Sequence, residues 1–374
     1  MMIGIDIRAL IGSQLSGVGL YLYNSLKSLF EVDNQNQYKL FFNSANYQLS
    51  DLINDFTHYP NVKLYSFKYP NKLFNALLIF LHKPNLDEMV GYCDVFWFPN
   101  LNFWQLSKKC RSVITVHDLS FKRIPWAYSK KMRLWHKLVH PREKFNQADK
   151  IISVSENTKS DLVNLYNLSN DKIDVVYPGI MYHESRITYQ DIRNKYNLPE
   201  KYILYLGTLE PRKNVESVIK AFEKLNQSDL YLVIAGQKGW LYKNIYRKAQ
   251  SSKLKANIKF LDYVSQNDRF NLYKNAQVLV WPSYYEGFGF PPLEAMSLGC
   301  LVITSANSSL PEVVGEASLL VDPYNANEIK EAINQVIDDD ELYKSLIQKG
   351  YEQVKKYDWQ KSGNQLKKLF ENLK

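Results

Sequence analysis

Val278–Cys300 reads VLVWPSYYEGFGFPPLEAMSLGC. Its first four residues form an apolar run, short enough for a strand buried on both faces. A turn rich in glycine and aromatics follows, then Pro291 and Pro292, whose fixed φ suits the opening of a helix. Gly299 is placed to close that helix as a left-handed cap. The unit is therefore strand, glycine loop, helix. Gly287 and Gly289, on either side of Phe288, let the backbone approach a ligand closely. The helix start offers N–H groups and a positive dipole end to an anion. Glu286 in the loop and Glu294 just inside the helix frame this cradle with carboxylates. Phosphates want amides, and sugar hydroxyls want carboxylate acceptors, so the combination suits a nucleotide-sugar.

The same alternation extends outward in both directions. Strand-like runs at Tyr202–Leu206, Tyr231–Ala235, Ile258–Leu261, Leu301–Thr304 and Ser318–Val321 are separated by helical stretches. Earlier in the chain, Ile3–Ile7, Tyr38–Phe42, Val62–Tyr65, Asp94–Phe98, Ser112–Val116, Ile151–Val154 and Ile173–Tyr177 repeat the pattern. Strands alternating with helices predict parallel, doubly wound sheets. Pro178-Gly179 interrupts the series, and the polar segment Met181–Glu200 reads as a linker. The expected fold class is α/β with two Rossmann-like domains whose parallel sheets face each other across a cleft. Residues 1–180 would form the acceptor-side domain and residues 181–355 the nucleotide-sugar domain. Residues 356–374 would form a helix packing back on the first. At 374 residues, length alone favours two cores.

Composition is that of an ordinary globular protein. Lys and Arg total 47 against 38 Asp and Glu, a net charge of +9 that calls for anionic partners. Nucleic acid ranks lowest among these, because no recognised binding motif is present. Cys93, Cys110 and Cys300 are odd in number, far apart and without metal-ligand spacing, which fits a reduced, cytoplasmic compartment. The start, MMIGIDIRAL, lacks the layout of a signal peptide, and the longest apolar candidate, Leu73–Leu81, is interrupted by Asn75.

Four constellations carry candidate chemistry. In YLGTLEPRKNVESVIKAF, Arg212 and Lys213 sit between a strand end and a helix start, with Asn214 as the expected N-cap. They could neutralise a diphosphate, Arg by a forked contact and Lys as a point charge. A solvated surface pair is the plainer alternative. The second is the Glu286/Glu294 unit, where two glycines and paired prolines weigh against an ordinary surface loop. In the third, SVITVHDLSF, His117 follows the last residue of a strand. A lone histidine is more often structural, and its strand-end position shifts that balance modestly. The fourth is Tyr263-Val264, where main-chain groups could hold a base and an ordinary turn is an equal alternative. Near the N-terminus, Gly17 and Gly19 precede a helix, a weak signal when taken alone.

With these residues in view, the chain resembles the retaining glycosyltransferases of family 4, two-domain enzymes of the GT-B fold with nucleotide-sugar donors. The resemblance rests on GTLEPRKN at Gly207–Asn214 and on Glu286 and Glu294 in EGFGFPPLE. It also rests on SGVG at Ser16–Gly19, VHDLSF at Val116–Phe121 and VSENTKSDL at Val154–Leu162. It implies that Arg212 and Lys213 bind the donor diphosphate, helped by amides at Gly17 and around Phe288-Gly289. Glu286 would hold the sugar hydroxyls, Glu294 the ribose, and His117 would lie near the reacting centre. It further implies front-face attack with retention of the anomeric configuration. No metal or other cofactor is required, since no Asp-x-Asp is placed like a metal site. The EPRKN motif and the layout resemble bacterial mannosyltransferases of surface-polysaccharide and O-antigen assembly, pointing to GDP-mannose, with a UDP-sugar as the alternative.

The expected acceptor is a glycan, on a lipid carrier at the inner face of the cytoplasmic membrane. Asn71–Pro84 is apolar with basic flanks, and Ser129–Lys144 reads as a basic, Trp-containing helix. Both could lie on an anionic surface, or simply pack on the first sheet. Two rival classes compete with this reading. A dinucleotide oxidoreductase is weakened because Leu22 stands where G-x-G-x-x-G needs its third glycine. A non-catalytic nucleotide-sugar-binding protein is weakened by the presence of His117 and both glutamates.

Overall fold

The computed structural model describes residues 1–373 apart from 13–14, 47–50, 182–188 and 226. The chain divides into two compact units. The first comprises Met1–Leu119, Lys131–Gly179 and Asp358–Lys374, and the second Ser120–Lys130 and Ile180–Tyr357.

The first unit is built on β1 (Met2–Asp6), β2 (Gln37–Asn43), β3 (Val62–Phe67), β4 (Val95–Phe98), β5 (Arg111–Val116), β6 (Lys150–Ser153) and β7 (Ile173–Val175). They form one parallel sheet in the order β3-β2-β1-β4-β5-β6-β7. The apolar runs seen in the sequence are buried because helices cover both faces of such a sheet. Trp97 on β4 is fully buried and satisfies its indole by donating to Thr115 Oγ1 at 2.9 Å. The helix Trp359–Glu371 returns to this unit, burying Leu366, Leu369 and Phe370. Trp359 packs near Tyr21, and Phe370 against Trp97.

The second unit is built on β8 (Tyr202–Leu206), β9 (Tyr231–Ala235), β10 (Ile258–Asp262), β11 (Val278–Trp281), β12 (Leu301–Ser305) and β13 (Leu319–Val321). This sheet is also parallel, in the order β10-β9-β8-β11-β12-β13. The strand order reverses between β8 and β11. In open α/β sheets, ligands bind outside the carboxyl ends of strands at that switch point. The loops leaving β8 and β11 there carry Arg212, Lys213 and Glu286.

Three local expectations change. The polar segment 181–200 is not only a linker: Tyr189–Tyr196 is helical. That helix buries Ile192 and sends Lys195 and Tyr196 to Asp268, at 2.7 and 2.6 Å. The basic stretch Ser129–Lys144 is two helices, Lys130–Val139 and Pro141–Gln147. His140 between them adopts a left-handed φ of 51°, which ends the first helix, and Pro141 opens the second. Asn214 does not cap its helix through its side chain. It sits at φ 58° and donates from Nδ2 to the carbonyls of Pro282 and Pro323, at 2.9 and 2.6 Å. The amide therefore ties the loops after β11 and β13 to the β8 loop.

Candidate active site

The cationic pair and the loop carboxylate meet directly. Pro211–Lys213 forms one turn of 3-10 helix opened by proline, which aims successive side chains at the loop after β11. Arg212 Nη1 donates to Glu286 Oε2 at 2.8 Å, and Lys213 Nζ to Glu286 Oε1 at 2.6 Å. The same guanidinium reaches Glu210 Oε1 through Nε at 3.0 Å and the Tyr285 carbonyl at 3.0 Å. Tyr284 N returns a bond to the Arg212 carbonyl at 2.9 Å, so the two loops are clipped together at main chain and side chain. Lys213 Nζ also lies over the Trp281 ring, 4.5 Å from its centroid. The other side of the loop is fixed by Ser308, which accepts from Glu286 N at 3.1 Å. Ser309 fixes it further, donating to the carbonyls of Glu286 and Phe288 at 3.0 and 2.8 Å.

Charges packed this closely shift one another. Burial works to raise the Glu286 carboxyl, but Arg212 and Lys213 outweigh it and hold the group below the ordinary carboxylate range. Glu210 goes the other way, because burial prevails over the two cations and Glu286 adds repulsion. Lys213 is lowered by burial and by Arg212, against the pull of both carboxylates. Two cations and two carboxylates thus balance within this cluster. Glu210, Ser308 and Ser309 are parts of this site that the sequence reading missed. Glu210 stood inside a motif already singled out, whereas the serines lie on a loop after β12 with no signal of their own.

The helix Phe290–Ser297 follows the loop and carries Glu294. Gly289 precedes it at φ 114°, and a Cβ there would meet Leu310 at 2.8 Å, so only glycine fits. Gly299, at φ 71°, ends the turn after it. Pro291 and Pro292 have no N–H, so neither contributes a donor to this helix start. Glu294 is held by Tyr273 OH on Oε2 at 3.0 Å and by Arg269 on Oε1 at 3.1 Å. Each oxygen keeps acceptor capacity for a hydroxyl. The helix Gln266–Asn275 that presents Arg269 and Tyr273 is capped by Ser265, directly after the buried Val264. Val264 stands beyond the carboxyl end of β10.

The remaining site candidates belong to the first unit. Ser16 caps the helix Gly17–Val32 by accepting from Gly19 N at 3.2 Å, which occupies that amide. A Cβ at Gly19 would meet the Ala9 carbonyl at 2.9 Å, while one at Gly17 would meet nothing within 4 Å. Gly19 is therefore required by packing and Gly17 is not. His117 follows β5 with its ring edge-on to Tyr21, centroids 4.7 Å apart. Its Nε2 lies 2.8 Å from the Pro99 carbonyl. A carbonyl only accepts, so Nε2 carries the proton and Nδ1 is the acceptor nitrogen of the neutral ring. Burial holds the His117 pKa below the ordinary histidine value, against the Pro99 bond and Asp118.

Two family models match in succession: Glycosyltransferase Family 4 over residues 53–182 and Glycosyl transferases group 1 over residues 188–353. The chain is 33% identical over 267 residues to the O-antigen chain mannosyltransferase B of Escherichia coli, covering 69% of this chain and 70% of that one. This chain belongs to glycosyltransferase family 4. The serotype-specific mannosyltransferase WbdA of Escherichia coli is 30% identical over 58% of this glycosyltransferase, which spans only 28% of that longer relative. Among solved structures, sucrose-phosphate synthase from Thermosynechococcus elongatus superposes with a TM-score of 0.76. The match covers 100% of the glycosyltransferase and 98% of that chain at 22% identity. Anabaena HepE in complex with UDP-glucose gives 0.74 at 16% identity, with full coverage of both. These likenesses establish the GT-B fold for the glycosyltransferase.

Proposed function

We propose that this glycosyltransferase moves mannose from GDP-mannose to a glycan hydroxyl with retention of the α configuration, in O-antigen or related polysaccharide assembly. The observation that carries the donor-site reading is the Arg212–Glu286–Lys213 cluster at the switch point of the second sheet. The named mannosyltransferase relatives support the choice of mannose. A UDP-sugar is the second reading, favoured by the UDP-glucose complex of a neighbour with this fold.

In this mechanism the nucleoside diphosphate leaves and its growing charge is met by Arg212, Lys213 and the amides around Gly289, without a metal ion. Glu286 accepts hydrogen bonds from donor-sugar hydroxyls and positions the ring. Glu294 takes the ribose hydroxyls, and main chain at Val264 holds the base. Neutral His117 accepts a sugar hydroxyl at Nδ1. The leaving phosphate takes the acceptor proton as the new bond forms on the same face. A lipid-carried acceptor is supported by exposed apolar residues beside cations in the first unit. Phe80 is 73% exposed, Leu81 66% and Leu73 57%, flanked by Lys72 and Lys83.

Incubation with a panel of GDP- and UDP-sugars tests the assignment by nucleotide release, and proton NMR of the product reads the anomeric configuration. Turnover of GDP-mannose to an α-linked product supports it. Turnover confined to another donor, or a β-linked product, contradicts it.

A further inference from the structure

Ser120–Lys130 follows β5 of the first sheet in sequence but is packed into the second unit. It begins three residues after His117, and the chain re-enters the first unit at Lys131. The segment folds on itself: a turn at Ser120–Arg123 precedes one turn of 3-10 helix at Pro125–Ala127. Ile124 N donates to Ser120 O at 2.8 Å, Ala127 N to Ile124 O at 3.0 Å and Tyr128 N to Pro125 O at 3.2 Å. The hydroxyls of Ser120 and Tyr128 are hydrogen-bonded across its ends.

Its attachments converge on one place. Trp240, on the loop after β9, donates its indole N–H to the Ala127 carbonyl at 2.6 Å and stacks on Tyr128 with centroids 5.7 Å apart. Ile124 and Ala127 are buried together with Tyr285, and Tyr284 packs against the same cluster. Trp126 meets Tyr284 edge-on at 5.1 Å, and Tyr284 lies 4.7 Å from Tyr324. Tyr284 and Tyr285 are the two residues before Glu286, and they are the ones clipped to Arg212 through main chain. Ser308 and Ser309 hold the Glu286 loop from one side, and this segment packs on the two tyrosines that lead into it. Drawing an excursion of the chain out of its own sheet costs conformational entropy. Here that cost is set against contacts to the residues that aim a carboxylate.

We propose that Ser120–Lys130 is a positioning strap for the Glu286 loop, latched by the Trp240 N–H on Ala127 and keyed by Ile124 and Trp126. The proposal rests on the reading of Glu286 as the group that holds the donor sugar. Trp240, Ile124 and Trp126 act through Tyr284 and Tyr285 and are positioning residues. The strap governs where the carboxylate stands, while phosphate contacts from Lys213 and from Arg212, still braced by Glu210, persist without it.

The test uses the full chain with Trp240→Phe, which keeps the ring and removes the N–H, and with Trp126→Ala. Trp126 is 53% exposed, so its removal spares the fold. Steady-state kinetics with varied donor and calorimetric titration with GDP and UDP are run on each. The strap predicts kcat down at least about 10-fold, toward the roughly 100-fold that a 1 Å misplacement can cost, while nucleoside-diphosphate Kd moves less than about threefold. A purely structural role would lower the melting temperature and the active fraction but leave kcat per active molecule unchanged, and that result overturns the proposal. Wild-type protein that binds neither nucleotide removes the donor reading and the strap with it. Wild-type turnover matched by both variants removes the strap alone.

Discussion

Lys213 Nζ donates to Glu286 Oε1 at 2.6 Å while standing 4.5 Å from the Trp281 ring centroid. One ammonium is thus shared between a carboxylate and an aromatic face at the carboxyl edge of β11. Arg212 shares the same carboxylate, so Glu286 holds both cations of the cluster. Under the proposed donor-site reading, a bound diphosphate would replace Glu286 at these cations and free its oxygens for sugar hydroxyls.

The first prediction concerns that carboxylate. Glu286→Gln keeps the shape but loses the charge and one acceptor. Turnover should fall about 100-fold, as when one polar group aimed at the reacting centre is removed. Nucleoside-diphosphate affinity should not weaken, since the cations lose their internal competitor. Calorimetry beside steady-state kinetics checks the split, and retention of most of the turnover contradicts any essential role.

Arg212 serves Glu210, Glu286 and the Tyr285 carbonyl in three directions at once. A lysine supplies one point charge in place of that fork. Arg212→Lys should therefore lose GDP affinity by about 1.5–3 kcal/mol, the range for hydrogen bonds to charged groups. That corresponds to about 10- to 150-fold in Kd. Equal affinity in the two proteins would show that the fork is not used.

His117 gives the pH dependence. Its pKa is lowered in the folded protein, whereas the unfolded chain takes up the proton at about pH 6.5. Acid therefore favours unfolding in the window below that value, and stability present above it is lost as the pH falls. Protonation also removes the Nδ1 acceptor. The acid limb of kcat/KM should lie below the ordinary histidine value and disappear in His117→Gln, whose residual rate should be low and flat. An unchanged acid limb in that variant assigns it to another group.

Much of the second unit was legible because its strands are short apolar runs with breaks at both ends. Val278–Trp281, Tyr231–Ala235 and Tyr202–Leu206 lie where their hydrophobicity places them. The Glu286 loop was legible through its glycines and prolines. The strap was not: Ile124, Trp126 and Ala127 follow no period, and the Trp240 that latches Ala127 is 113 residues away. The Arg269–Glu294 pair was equally hidden, because an arginine on one helix gives no sign of which carboxylate on another it will meet. Pro141 marks the break at His140, although the basic, Trp-containing stretch Ser129–Lys144 reads as one helix from its composition. Asn214 has the residue type of an N-cap, yet two carbonyls from other loops took its amide instead.

The exposed apolar group on the first unit gives a surface prediction. No helix among the described residues is long and apolar enough to cross a membrane. Flotation with vesicles rich in phosphatidylglycerol should carry the protein, and Phe80→Glu with Leu81→Glu should abolish it. Each nearby Lys adds about 1 kcal/mol on an anionic surface, so added salt should weaken binding. Flotation that ignores anionic lipid removes this reading.

The most direct test of the central claim is GDP release from GDP-mannose in the presence of EDTA, compared between wild type and the Arg212→Ala/Lys213→Ala double variant. The account predicts EDTA-insensitive turnover in wild type, lost at least about 1,000-fold when both cations are removed, the upper end for a preorganised charge contact. Turnover in the double variant near the wild-type rate would contradict the donor site described.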